Sequence, residues 1–235
     1  MAGDIQEGSV GQGQITSGLP KGGLVERTLT FVRCQLPRWR DDRERPHEEA
    51  EEKLNAQLCK FLSAKASHEF PMVQFHHEEK QTERRRVDMS AGPTEGTFVG
   101  SAYHSIYEPF LVFEGKRLPA PSKDREREYV TGGSLKTGGI QRFRLGLHGP
   151  KLQDAAIVGY LQQGNAQEWF RCINSWIVDL AASTGTEEEW TRDDALGGLK
   201  VDKIERIAHC VSTHNRTGPA TSPRIRLVHL WVEMS

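Results

Sequence analysis

Apolar positions along the chain recur at two spacings, and each change from one to the other marks an element boundary. Thr28 to Leu36 alternates enough to predict a short strand. From Pro46 to about Ala66 the spacing lengthens to three and four, with Ala50, Leu54, Leu58, Phe61 and Leu62 on one face, which predicts a helix. Val73 to His77 and Arg84 to Ser90 return to alternation and predict two strands. Phe110-Leu111-Val112-Phe113 is a compact apolar run, the kind that fills a central strand buried on both faces. Pro119 to Tyr129 is polar, a loop or a charged helix, and Gly138-Gly139 precedes a short segment from Ile140 to Leu147. Ala155 to Leu161 predicts another buried strand, and Gln167 to Ala182 an amphipathic helix with Phe170, Ile173, Ile177 and Leu180 inward. Glu187 to Gly198 has the character of an exposed insertion. Ile204 to Thr213 and Ile225 to Val232 are β-rich stretches joined by a turn region at Asn215 to Pro219. This order predicts an α/β protein: a central mixed sheet flanked by helices, with extra C-terminal strands.

Composition narrows that picture. A chain of 235 residues suits one domain over residues 24–235, with a flexible Gly-, Ser- and Gln-rich tail over residues 1–23. No apolar run approaches the ~20 residues of a membrane-spanning helix, and no signal-peptide pattern opens the chain, so a cytoplasmic location with no membrane partner is expected. Cys34, Cys59, Cys172 and Cys210 are scattered and predict reduced thiols rather than a zinc knuckle or disulfide framework. Net charge is −1, but Lys80 to Lys151 holds 13 Lys and Arg against 8 Asp and Glu. A basic middle on an acidic remainder fits a polyanion-facing surface; charge alone fits an ordinary solvated surface as well.

Chemistry enters at Arg86-Val87-Asp88 and Glu114-Gly115-Lys116. Glu114 ends the apolar run, and residues two apart on a strand share a face, so Glu114 and Lys116 set a carboxylate beside an ammonium. Gly115 between them leaves its carbonyl accessible. Hydrolysis of a phosphodiester calls for a hard divalent cation, an activated water and positive charge near the transition state. Mg²⁺ takes oxygen ligands, usually one or two carboxylates completed by water and phosphate. The competing interpretation is a structural same-face ion pair at an exposed strand end.

Asp88 and Glu114-Gly115-Lys116, following a Glu-rich helix, resemble the PD-(D/E)XK superfamily of restriction-endonuclease-like nucleases over roughly residues 46–163. Val87 stands where that family prefers proline. The resemblance implies a restriction-endonuclease-like core and Mg²⁺ (or Mn²⁺) held by Asp88, Glu114 and the Gly115 carbonyl. It also implies that Lys116 orients or activates the attacking water. Many members add a helical glutamate; among Glu48, Glu49, Glu51 and Glu52, the three- and four-residue spacing to Leu54 and Leu58 selects Glu51. The implied activity is endonucleolytic cleavage of DNA rather than RNA, in a bacterial antiviral-defence or restriction setting. A homo-oligomer or a defence-complex protein partner fits that setting. An inactive nuclease-fold subunit that binds nucleic acid or a protein is the alternative.

Lys136, Gln141 and Arg142 are candidate nucleic-acid contacts, because paired glycines before a helix N-terminus suit a phosphate; a tight turn with surface side chains explains them equally well. Other chemistries lack support. His76 and His77 are adjacent on a strand and point apart, and His209, His214 and His229 fit structural histidines. No nucleophile elbow, P-loop or dinucleotide fingerprint occurs. Trp169, Trp176 and Trp231 fit a core or a subunit interface.

Overall fold

Leu24, Val25, Leu29, Val32 and Leu36 fall at the spacing of one helical face, and all five are buried. They build α1 (Gly23–Arg40), so Thr28 to Leu36 is helix rather than the expected strand. A window opening at Thr28 catches its β-branched and aromatic residues but misses Leu24 and Val25, which complete the helical stripe. The structure is a computed structural model that describes residues 23–82, 85–183, 189–218 and 220–235. The tail expected over residues 1–23 lies outside them, apart from Gly23.

α2 (Glu51–Glu69) buries Leu54, Leu58 and Leu62 completely, about 1.5–3 kcal/mol for each side chain. It begins five residues later than expected from Pro46, and Ala50 is exposed. The strands follow as β1 (Val73–Thr82), β2 (Arg85–Pro93), β3 (Thr97–Val99), β4 (Ala102–His104) and β5 (Leu111–Leu118). A 3-10 turn at Lys123–Tyr129 leads to α3 (Gly139–Arg144), then β6 (Asp154–Leu161) and α4 (Ala166–Ala182). The chain ends in β7 (Gly197–Asp202), β8 (Ile207–Asn215) and β9 (Arg224–Glu233). Asn165 caps α4 by accepting from the backbone N–H groups of Gln167 and Glu168, both at 3.1 Å.

Seven strands form one sheet in the order β1-β2-β5-β6-β9-β8-β7, while β3 and β4 make a separate hairpin. β5, β6 and β9 run parallel at the centre, and antiparallel strands complete both sides. The sheet is therefore mixed and flanked by helices, as expected. β9 is not an appendage: it sits between β6 and β8. Apolar side chains pack on both sheet faces. Leu111, Phe113, Ala156 and Val158 meet α1 and α2 on one face, while Val112, Leu118, Ala155 and Ile157 meet α3 and α4 on the other. Such double coverage explains why the central strands lack polar alternation.

The exposed insertion expected over Glu187 to Gly198 is corrected where it is described. Trp190, Asp194 and Leu196 are buried, and Asn174 of α4 binds the backbone of Leu196 through both ends of its amide. Asp194 closes a buried polar chain. Donation runs from Trp231 Nε1 to Tyr129 Oη (2.9 Å), on to His229 Nδ1 (2.8 Å), from His229 Nε2 to Ser212 Oγ (2.8 Å), on to His214 Nε2 (2.7 Å), and from His214 Nδ1 to Asp194 Oδ1 (2.7 Å). This direction satisfies every member with both imidazoles neutral, the state that burial favours. His214 and His229 are thus structural. Among the described residues no helix is long and apolar enough to cross a membrane.

Candidate active site

The β2–β5 ladder pairs Ala91 with Leu111, Ser90 with Val112 and Met89 with Phe113. One step further would set Asp88 opposite Glu114, but the backbone pairing stops there. Asp88 instead turns its own carboxylate on the partner strand, and Oδ2 accepts the Gly115 backbone N–H at 2.7 Å. Val87 and Met89 join cores on opposite sides of the sheet, so β2 rotates at Asp88. The gap this opens collects the charged groups.

Glu114 and Lys116 share a face of β5, as the two-residue spacing requires, with Nζ 3.1 Å from Glu114 Oε1. Glu51, in the first turn of α2, accepts from Lys116 Nζ at 2.9 Å and, through its other oxygen, from the Arg117 backbone N–H at 3.0 Å. Of the four neighbouring glutamates Glu51 is the one that reaches Lys116, while Glu48, Glu49 and Glu52 are exposed. Gly115 faces the other way. A Cβ there would stand 1.8 Å from Asn55 Oδ1, so only glycine admits α2 at this distance. Asn55 Oδ1 in turn accepts from Tyr160 Oη at 2.7 Å, which locks helix to sheet beneath the site.

Two further residues close over Glu114 from the α3 side. Arg142 Nη1 donates to Oε1 at 2.5 Å, and His148 Nδ1 lies 3.1 Å from Oε2. His148 is 2% exposed, follows α3 on a loop, and had no motif or spacing to announce it in the sequence. Arg142, expected as a nucleic-acid contact with a surface side chain as the alternative, lies at the rim of the site, 25% exposed on its side chain. Gln141 is displaced further from its expected role. It is buried, with Oε1 accepting from the N–H groups of Gly132 and Gly138 and Nε2 donating to the Gly133 carbonyl, so its amide shapes the loop before α3. Lys136 is half-buried in a left-handed conformation (φ 55°) on that loop, outside the contacts of the charged cluster.

Electrostatics sort these groups. Burial would push Glu114 up, but Lys116, His148 and Arg142 outweigh it and hold the carboxylate well below its usual range. Burial would likewise lower Lys116, yet Glu114, Glu51 and Asp88 keep it a firmly held cation. Asp88 goes the other way. Burial, reinforced by the charge of Glu114, pushes it up to about 8 against the pull of Lys116 and the Gly115 N–H.

The donor set tests the expected cation directly. Asp88, Glu114, Glu51 and the Gly115 carbonyl offer oxygen only, which suits Mg²⁺ or Mn²⁺ and not a soft metal. Asp88, lifted by burial and then by the charge of Glu114, is a carboxylate of the kind a divalent cation would hold ionised. These residues fit a hard cation by chemistry. Against that, among the described residues no three His, Cys, Asp or Glu side chains are grouped closely enough to share one ion. Compared with protein-family models, curated proteins and solved structures, the chain matches none.

Proposed function

We propose that the chain is a Mg²⁺-dependent endonuclease of PD-(D/E)XK type, acting on DNA. The observation that carries this reading is the convergence of Glu51, Asp88, Glu114 and Lys116 from α2, β2 and β5 on the gap where the β2–β5 ladder ends. Asp88, Glu114 and the Gly115 carbonyl, with Glu51 beside them, would hold the cation. Bound there, it would lower the pKa of a water and neutralise phosphate charge. Lys116, held as a cation by Glu114, Glu51 and Asp88, acts as an electrostatic partner to the scissile phosphate and orients the attacking water. Arg142 brings a second positive charge at the rim, and the basic stretch from Lys80 to Lys151 supplies a surface for the rest of the polyanion.

Plasmid nicking with Mg²⁺, Mn²⁺ or EDTA tests the proposal. Cleavage is expected with either metal and not with EDTA, and Lys116→Ala and Asp88→Ala should each lower it by about 10²-fold or more. Near-normal cleavage by both folded variants would remove the proposal.

A second reading, a nuclease-fold subunit without activity, is favoured by one observation: Glu114 Oε1 is already shared by Lys116 and Arg142. Calorimetry with Mn²⁺ separates the two. The enzyme binds the ion in a manner that depends on Asp88 and Glu114, and the inactive subunit does not.

A further inference from the structure

The sheet face that carries Glu114 and Lys116 continues past them to a pocket of about 290 Å³, lined by His76, Glu79, Gly92, Ile106, Tyr107 and Pro109 among others. His76 pairs with Ser90 and Ser90 with Val112 across β1, β2 and β5, so these three side chains share a face. Val112 stands two residues before Glu114 on β5 and shares that face too. The pocket therefore opens on the face of the charged cluster, and the two rows of side chains are neighbours, roughly 7 Å apart along the strands. Ile106, Tyr107 and Pro109 come from the segment between β4 and β5. Gln74 of β1 fastens that segment down, its Nε2 donating to the carbonyls of Pro93 at 3.1 Å and Ile106 at 3.2 Å.

The pocket wall holds an acid where strand alternation would not put one. Phe75 belongs to the layer of α1 and α2, and alternation would send His77 and Glu79 to the same side. Glu78 adopts a left-handed conformation (φ 51°), which few glutamates take, and Glu79 turns instead to Ser90, whose Oγ donates to Glu79 Oε2. Among the described residues Glu79 Oε1 has no hydrogen-bond partner, whereas the neighbouring Glu78 is paired with Arg86 at 2.7 Å. No lysine or arginine lines the pocket, so it is a poor place for a phosphate. It offers an open carboxylate oxygen, the imidazole of His76, and Tyr107, 85% exposed, on its wall.

We propose that this pocket receives an unpaired nucleobase bearing an exocyclic amino group, from the DNA strand held at the charged cluster. The identity of that strand rests on the nuclease reading of the cluster; the pocket adds which base is taken. A carboxylate accepts from an amino group such as cytosine N4 and repels the carbonyl O4 that thymine presents instead. The Tyr107 ring supplies a face on which a base freed from its own stack can lie. The volume is at the low end of small-molecule sites, room for one base rather than a whole nucleotide. A place on the face of the charged cluster favours a base of the same strand over an unrelated amine.

Fluorescence anisotropy of the full chain with labelled oligodeoxycytidine and oligothymidine of equal length, in EDTA, tests this. Oligodeoxycytidine is expected to bind at least fivefold more tightly. Glu79→Gln should bring the two within twofold, because an amide can serve either base. Tyr107→Ala should weaken oligodeoxycytidine at least fivefold, and Tyr107→Phe by less than twofold. Tyr107 is exposed, so its variants keep the fold, which circular dichroism checks. No binding, equal affinity for the two strands, or a preference that survives both Glu79→Gln and Tyr107→Ala overturns the proposal. So does a paired duplex of the same strand that binds as tightly, since pairing hides the amino edge. Tighter binding of the ribose counterpart, oligocytidine, would assign the pocket to RNA and overturn the DNA assignment. Adding Mg²⁺ separates the pocket from the nuclease reading. Cleavage without base preference removes the pocket and keeps the nuclease, whereas base-selective binding without cleavage supports the pocket and removes the nuclease.

Discussion

Gly115 answers to two demands at once. It lies between the two charged residues of the candidate site, and its bare α-carbon is what lets Asn55 of α2 reach the sheet. Gly115→Ala should cost about 1–3 kcal/mol in urea denaturation, the range of an overpacked core. Adding Asn55→Ala should recover part of that loss, because the clash is with Asn55; strictly additive losses would contradict this account. Asp88 supports a second expectation. Its folded-state pKa of about 8 exceeds the roughly 4 of an unfolded aspartate, so the folded state holds a proton that the unfolded state gives up. Stability therefore falls as pH rises from about 4 to 8. In EDTA, Asp88→Asn should match the wild type near pH 4 and exceed it by about 1 kcal/mol or more at pH 8. A pH-independent difference in unfolding midpoint would refute the assignment. At this scale the sequence was informative wherever chemistry depended on neighbours along the strand. The Glu114–Lys116 pairing follows from alternation alone. His148 and Asn55 reach the site through folding of distant segments, and no local pattern marks either.

Among elements, α3 shows how much can hang on one short helix. Its N-terminal Gly138 packs against the Thr131 backbone so closely that a Cβ would lie 2.3 Å from Thr131 Cα, an obstacle that cannot rotate away. Gly138→Ala should shift α3, draw Arg142 from Glu114 and lower the melting temperature by about 5 °C. Calorimetry reads the shift, and an unchanged Tm would contradict it. The paired glycines at 138 and 139 suggested either a phosphate cradle or a tight turn, and the packing favours the turn. α2, β5, β6, α4 and β9 were legible because each buries a regular apolar stripe or run. α1 was mistaken for a strand because the alternating window cut its helical stripe, and β7 was missed because it begins at the end of a presumed insertion, Glu187 to Gly198, and runs on into residues given no element. β7 is mostly exposed and lacks a buried face of its own; its place comes from pairing with β8.

For the whole molecule, one sheet joins two apolar layers. Leu58 lies in one layer and Ile177 in the other. Leu58→Ala and Ile177→Ala should each cost about 2–5 kcal/mol and add within about 0.5 kcal/mol. Tryptophan fluorescence and far-UV circular dichroism should report the same transition in both variants; separate transitions would mean that the layers unfold independently. The strand order has a consequence for how such a chain matures on the ribosome. β9 follows every other strand in the chain yet occupies an inner position, eight register pairs against β6 and nine against β8. Until residues 224–233 emerge, β6 presents an open edge and the β7–β8 hairpin has no sheet to join. Any nascent intermediate that lacks residues 224–233 thus carries unpaired strands of the kind that invite aggregation, and it is β9 that closes the sheet.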